Sequence, residues 1–391
     1  MHHSPLTIRA ASRLRSLGAP AATGAILASA LAASCVIPLS TTTIGAGADG
    51  GPSSALEAAA SGADVTIPTG HWNNVTGVLA NYPSTCGNLT LISAKPDEDV
   101  VFAGVAAVGL WASRSGGPWQ LIGQGSDASA PVDNRPFAIV YDPANSTRFW
   151  VSGSYGGCVF ETNDDGNTFV QLGSAIDCDL VSIDFSDPNR QTIVAGAHEQ
   201  PATLNRSTDG GLTWTNVGAQ LPSNANCSMP LVIDAMTHLV GCSAGGIYRT
   251  TDGGTNWTQA TTSGGILTPL VASDGSIYWL SYDGTLTRST DNGQTWNDIT
   301  SSVTLSSTEG RLIELPNGDL AAIANQSVVV SSDQGATWNP ATSALPVDPP
   351  EFMNGLAYSS QRQSFYVWNS TCQDPVPADA VEQYDFAIQT D

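Results

Sequence analysis

Positive charge is what this sequence has least of. Lys and Arg together number 13 in 391 residues, against 35 Asp and Glu, and the formal net charge is −22. Only one of the 13 is a lysine, Lys95. Such a balance speaks against a nucleic-acid backbone as partner, because that partner demands a basic footprint. It equally speaks against adsorption to anionic lipid through a basic patch. Charge of either sign is scarce: Asp, Glu, Lys and Arg make up 12% of the chain, about half the usual share. Long apolar runs are lacking too, and the run at 21–33 is too short to span a bilayer comfortably. There is no GxSxG, no HExxH and no GxxxxGK, so nucleophile elbow, zincin helix and phosphate loop are all missing. The cysteines are too widely spaced for a zinc site, which wants close pairs. No metal and no cofactor is expected. What is present is 41% apolar residues, 39 Gly and 23 Pro. That is too apolar for a disordered acidic tail and suits short strands joined by turns.

The first 35 residues read as an address. Arg9, Arg13 and Arg15 form a positive segment, AATGAILASALAA (21–33) an apolar one, and small residues follow before Cys35. This is the pattern of a secretory leader. LAASC (31–35) resembles the bacterial lipobox, whose cysteine is lipidated and becomes the mature N-terminus, although Ala32 stands where that motif has leucine. Lipid anchoring at Cys35 and simple cleavage are both open, so the chain meets a membrane only through an N-terminal lipid. Residues 36–68 are rich in Ser, Thr, Ala, Gly and Pro without a firm period, and read as a flexible tether. Beyond Cys35 six cysteines remain, an even number suited to an oxidising compartment.

From residue 69 onward an internal repeat dominates. RSTDGGLTW (206–214), RTTDGGTNW (249–257), RSTDNGQTW (288–296) and VSSDQGATW (330–338) are near copies. ETNDDGNTF (161–169) keeps the pattern with Phe169 at the end, and WASRSGGPW (111–119) keeps glycine and tryptophan but loses the Asp. The closing aromatics lie 50, 45, 43, 39 and 42 residues apart, a period that signals a solenoid, propeller or array. Each repeat parses into four short strands. In one, 311–316, 319–324, 327–332 and 337–342 are the strands, with Asn317-Gly318 as a hairpin turn. In the repeat before, the strands are 268–273, 276–281, 285–290 and 295–300.

These segments resemble the Asp-box, or BNR repeat, of sialidases, other glycoside hydrolases and sortilin-like receptors. The resemblance implies a β-propeller with each box lying between a blade's third and fourth strands; the parse of the repeats makes it all-β over 69–391, with seven four-stranded antiparallel blades where sialidases have six. Six repeats are visible. The seventh is assembled from 355–360, 364–369 and 381–387 at one end and HWNNVTG (71–77) at the other, so the N-terminal strand is expected to close the last blade. Within each box, Asp and Ser/Thr side chains should close the turn on backbone amides and glycine should supply positive φ. The aromatic opens the outer strand as a packing plate. The residues so assigned to structure are Asp164 and Gly166; Asp209, Gly211 and Trp214; Asp252, Gly254 and Trp257; Asp291, Gly293 and Trp296; and Asp333, Gly335 and Trp338.

Alternating strand direction puts the second-to-third-strand loops and the blade-to-blade connections on one face. Boxes and first-to-second-strand turns fall on the other. All six cysteines then share the loop-rich face, in three plausible pairs: Cys158 with Cys178, Cys227 with Cys242, and Cys86 with Cys372 across the ring closure. Sequence alone leaves 15 connectivities open. The longest insertions, 122–135, 218–228, 343–354 and 370–380, are expected on the same face. So are Asp133, Arg135, Tyr155, Asp179, His198, Glu199, Tyr282, Asp283, Glu309, Arg311, Glu351 and Asp374. A sialidase needs three arginines to clamp its substrate's carboxylate. Only Arg135 and Arg311 begin strands that face the channel, since the other arginines precede boxes or lie in opposite-face turns. A carboxylate pair for glycoside hydrolysis would have to come from Glu199, Asp283, Glu309 or Asp374. The leading expectation is an exported, lipid-anchored, monomeric propeller that binds a protein or glycan at its loop-rich face. A glycoside hydrolase and an assembly factor for a membrane complex are the alternatives.

Overall fold

The computed structural model describes residues 70–388, except 85–88, 127–128, 176, 244, 302, 307–310, 347–351 and 371–374. The leader and tether, Cys35, Cys86, Cys372, Glu309, Glu351 and Asp374 lie outside the described residues.

Seven four-stranded antiparallel sheets form the blades of a propeller. Blade 1 comprises Leu89–Ala94, Val100–Val105, Gly109–Arg114 and Gln120–Ile122. Blade 2 comprises Arg135–Tyr141, Phe149–Ser154, Val159–Thr162 and Val170–Gln171. Blades 3, 4, 5 and 6 begin at Cys178–Ile183, Met229–Val232, Leu270–Val271 and Ile313–Glu314. Blade 7 takes Phe352–Ser359, Ser364–Ser370 and Val381–Asp385 from the C-terminal part and Asn73–Asn74 from the other end. There Asn73 pairs with Gln383 and Asn74 with Glu382. The seam is reinforced by Val75 N–H donating to Val381 O at 2.9 Å, by Thr76 Oγ1 accepting from Val381 N–H at 2.9 Å, and by Trp72 Nε1 donating to Ser343 O at 3.0 Å.

The second strand of each blade is buried on both sides, and this is why VVFAGV (100–105) and IYWL (277–280) are unbroken apolar runs rather than alternating ones. Apolar side chains pack between successive blades. Phe102, Phe149, Phe160 and Phe169 fill the space between blades 1 and 2; Trp111, Tyr366 and Trp368 fill the space where blade 7 meets blade 1.

Several strands are shorter than the sequence suggests. The first strands of blades 5 and 6 shrink to Leu270–Val271 and Ile313–Glu314, and the last strand of blade 6 to Asn339–Pro340. Pro269 and Pro340 lack an amide proton to continue a ladder, and short outer strands limit edge-to-edge pairing. The box tryptophans stand just before their outer strands rather than opening them. The insertion at 122–135 is not an irregular loop. It forms a hairpin, Gln124–Ser126 with Ser129–Pro131. That hairpin lies beside the outer strand of blade 2, through Ala130 N–H to Phe169 O at 2.7 Å and Phe169 N–H to Ser129 Oγ at 2.9 Å.

The boxes are turn locks. In blade 3, Ser207 Oγ accepts from Gly211 N–H at 2.8 Å and donates to Asp209 Oδ1 at 2.7 Å. Asp209 Oδ1 accepts from Thr213 N–H at 2.9 Å, and its Oδ2 from the Thr213 hydroxyl at 2.6 Å. Asp164, Asp252, Asp291 and Asp333 repeat this bonding. Gly211 is required twice over: its φ is +89°, and a Cβ there would lie 2.8 Å from Leu172 of the preceding blade. Trp119, Trp214 and Trp257 reach back a blade, donating Nε1–H to Val75 O, Leu172 O and Val217 O at 2.8, 3.0 and 2.8 Å. Trp296 and Trp338 instead bond Gly293 O and Gly335 O inside their own boxes.

Candidate functional site

At the inner ends of blades 3, 4 and 5, on the face opposite the boxes, lies a cavity of about 200 Å³. Glycines leave it open. A Cβ on Gly196 would meet Ser228 O at 2.0 Å and one on Gly241 would meet Gly265 O at 2.0 Å, so the three blades touch backbone to backbone with no side chain standing between them. Met229 and Ile266 give the cavity apolar surface; Asp179, His198 and Glu199 form one wall, and Asn226, Ser243 and Tyr282 complete it.

His198 is held at both ring nitrogens. Nδ1 lies 2.6 Å from Asp179 Oδ1, and Nε2 lies 3.0 Å from the Tyr155 hydroxyl. The Tyr155 ring stands edge-on to the imidazole, centroids 5.0 Å apart. Burial alone would lower the His198 pKa, but the hydrogen bond and charge of Asp179, then the charge of Glu199, outweigh it and raise the pKa above the ordinary histidine value. Arg135 acts on His198 in the opposite sense. Tyr282 and Asp179 line the same cavity. Tyr155 is 48% exposed and Tyr282 65%, unusually open for large aromatics.

Two disulfides brace this region. Cys158–Cys178 joins the loop that carries Tyr155 to the strand that begins beside Asp179. Cys227–Cys242 ties the segments that carry Asn226 and Ser243.

The other sequence candidates are dispersed. Arg135 and Arg311 both line an axial cavity of about 20 Å³, room for about one water and none for a sugar ring. Arg311 crosses the axis, bonding Phe137 O and standing 6.0 Å from the centre of the Phe137 ring. Asp133 is exposed ahead of the first strand of blade 2. Asp283 accepts from Thr285 N–H at 3.0 Å within a turn, and does not line the cavity with Glu199. Most of the remaining described arginines are straps, whereas Arg148 bonds Glu161 within its own blade. Arg114 bonds Asp165, Arg206 bonds Ala235 O, Arg249 bonds Asn292 O and Arg288 bonds Gln334, each reaching from one blade to the next. In the Asp-rich turn at 163–166, Asp165 takes Lys95 as well as Arg114. Asn226, Ser243, Met229 and Ile266 were not singled out in the sequence. Their signal was indirect: Gly196 and Gly241 inside otherwise apolar strands mark close backbone approach. Two larger depressions, of about 560 and 410 Å³, open on the box face around the channel, where no site was expected.

Residues 118–275 match the family described as "Photosynthesis system II assembly factor YCF48", and 243–368 match a "DUF6242 beta propeller domain". The fold is that of a BNR-like propeller. Over 211 residues the chain is 28% identical to "Photosystem II assembly lipoprotein Ycf48" of Synechococcus sp. (strain CC9902), covering 50% of this chain and 58% of that protein. The chain thus spans a little over half the length of this curated relative. Among solved structures, "YCF48 bound to D1 peptide" superposes with a TM-score of 0.53 at 15% identity, over 81% of this chain and 97% of that one. A GH74 xyloglucanase from Xanthomonas campestris superposes with a TM-score of 0.54 at 18% identity, over 81% of this chain and 56% of that one. At such identities these structures speak to the fold alone. Sialidase and sortilin kinship finds no match among these relatives.

Proposed function

We propose that this chain is an assembly factor of an exported compartment, a propeller that holds a segment of a membrane-complex subunit while the complex is built. The observation that carries this reading is the 28% identity to a photosystem II assembly lipoprotein, supported by the family match over 118–275. The YCF48 propeller bound to a D1 peptide shares the fold, which makes a protein segment a better-supported partner than a glycan. Two disulfides suit an oxidising compartment. Lipidation at Cys35 would keep the propeller beside its membrane client. The expected contact surface is the loop-rich face around His198 and Tyr282.

The test is cross-linking of the full chain in its native envelope, followed by identification of the partners. Subunits of a membrane complex should be recovered in incomplete sub-assemblies and be missing from the finished complex. Recovery of glycans alone, or turnover of fluorogenic glycosides by purified protein, would overturn the reading. Cys35→Ser should move the protein from the membrane to the soluble fraction; unchanged fractionation would refute the anchor.

A further inference from the structure

We infer that the cavity over blades 3 to 5 is a socket for one basic side chain, arginine or lysine, projecting from the partner's segment. This deepens the protein-binding reading and rests on it.

The argument begins with what the cavity offers. Asp179 gives one carboxylate oxygen to His198, and among the described residues its other oxygen has no hydrogen bond. Glu199 reaches no closer than 3.8 Å to the imidazole, and its side chain is 71% exposed. The socket therefore presents two carboxylates around one imidazole, Asp179 hydrogen-bonded to it and Glu199 in a loose ion pair at 3.8 Å. Its surface also includes the Asn226 amide and the Tyr282 ring. Met229 and Ile266 supply apolar area of the kind that covers the methylene stem of a long basic side chain. An aromatic face beside carboxylates suits a guanidinium or ammonium group, which draws on both the ring quadrupole and charge-assisted hydrogen bonds.

Shape and field agree. The volume, about 200 Å³, is below the range for drug-sized ligands and suits a single side chain. Its glycine contacts are backbone to backbone, so the depth of the cavity is set by the blades. The disulfides fix both walls without contributing charge. A net charge of −22 steers a cationic segment toward the molecule. Most described arginines of the chain itself, Arg114, Arg190 and Arg288 among them, are engaged with Asp165, Asp142 and Asp274. Arg135, whose field reaches His198, stands in the axial cavity.

The probe is a fluorescein-labelled, amidated Ala-Ala-Arg-Ala-Ala peptide, compared by anisotropy with its lysine analogue and with a neutral citrulline analogue of nearly the same shape. The arginine or lysine peptide should bind at least about tenfold more tightly than the citrulline peptide. Glu199→Gln and Tyr282→Ala, both at exposed side chains, should each weaken it by about tenfold. Asp319→Asn, in a turn on the opposite face, should change binding by less than about twofold at matched ionic strength. Equal affinity for the citrulline peptide, no detectable binding at millimolar peptide, or equal loss in all three variants would overturn the socket. The same variants in the envelope cross-linking separate the two claims. If Glu199→Gln and Tyr282→Ala capture the native partner as well as the wild type does, the socket falls and the protein-binding reading stands. If wild type captures no partner but discriminates arginine from citrulline, the assembly reading falls and the socket stands.

Discussion

His238 sits fully buried in the second strand of blade 4, and among the described residues neither ring nitrogen has a hydrogen-bond partner. Burial, helped by the charge of Arg206, pushes its pKa down to about 4. Between pH 6.5 and about 4 the unfolded chain binds a proton that the folded chain refuses, so stability falls as pH drops through that window and levels off below it. The effect is on the order of 3 kcal/mol. In His238→Leu the difference in Tm from wild type should become more favourable to the variant as pH falls from 7 to 4; a difference independent of pH would refute the neutral buried imidazole. The box carboxylates act lower. Hydrogen bonds to Thr213, Asn256 and Thr295 hold Asp209, Asp252 and Asp291 down to about 2. Their folded values are depressed, so what they contribute is present above about pH 4 and is lost as pH falls toward 2. Asp209→Asn should lower Tm at pH 7 and leave it nearly unchanged at pH 2, as read by calorimetry. Arg190 is a third case. It holds Asp142 through two nitrogens, at 2.7 and 3.1 Å, with both side chains almost fully buried. Arg190→Ala leaves that carboxylate with only Arg148, 3.8 Å away, and the Ala144 amide, and should cost about 3 kcal/mol in chemical denaturation; a loss below about 1 kcal/mol would mean that the pair is solvated.

At the scale of strands and loops, legibility followed the repeat. The boxes were plain because Ser207, Asp209, Gly211 and Thr213 each answer a local demand of one turn, and a local demand leaves a residue-type signature. The blade closure was legible for the same reason, since HWNNVTG (71–77) carries an outer strand's pattern away from any box. The cavity was only partly legible. Strand direction put Asp179, His198, Glu199 and Tyr282 on one face, and they line one cavity there, but their partition from Arg135 and Arg311 depends on distance from the axis, which strand order does not encode. The hairpin at 124–131 was missed because SDAS (126–129) lacks strong turn residues. Its order comes from Ser129 and Ala130 pairing with Phe169, a contact between blades. The first disulfide is an element-scale device of the same kind, tying the Tyr155 loop to the strand of Asp179. Replacing Cys158 and Cys178 together by serine should lower stability by about 3 kcal/mol. It should also bring the His198 pKa, followed by imidazole NMR, back toward the ordinary value as Asp179 and Tyr155 loosen. An unshifted titration would show that Asp179 and Tyr155 hold His198 without the bridge.

For the molecule as a whole, the ring is only as secure as its seam, and the ladder there is short: two residue pairs, backed by the bonds of Trp72, Asn74, Val75 and Thr76 and by those of Asn81 and Tyr82 with Val376. Trp119 of blade 1 also bonds Val75 O, so blade 1 grips the closing strand from the other side. Inside this seam, opposite Asn74, stands Glu382. Burial, reinforced by the charge of Asp379, raises its carboxyl to about 7. The sign is opposite to that of His238. A folded pKa above the unfolded value means that the folded chain holds the extra proton between about pH 4.5 and 7, so stability falls as pH rises through that interval. The two groups slope in opposite directions over overlapping ranges, and wild-type Tm will therefore show less pH dependence than either group imposes. Single variants separate them. Glu382→Gln mimics the protonated form, so it should match wild type near pH 5 and exceed it in Tm at pH 8. Hydrogen exchange gives the location, because the burden falls on the closing strand. Amides that bridge the seam, such as Val75 N–H and Val381 N–H, should exchange faster relative to those of blades 3 and 4 as pH rises from 6 to 8, after correction for intrinsic rates. In Glu382→Gln that excess should vanish. If Glu382→Gln is equally stabilising at pH 5 and pH 8, the carboxyl is not held protonated at the seam, and the hold on the closing strand comes from its hydrogen bonds, those of Trp72, Asn74, Val75 and Thr76 among them, without regard to pH.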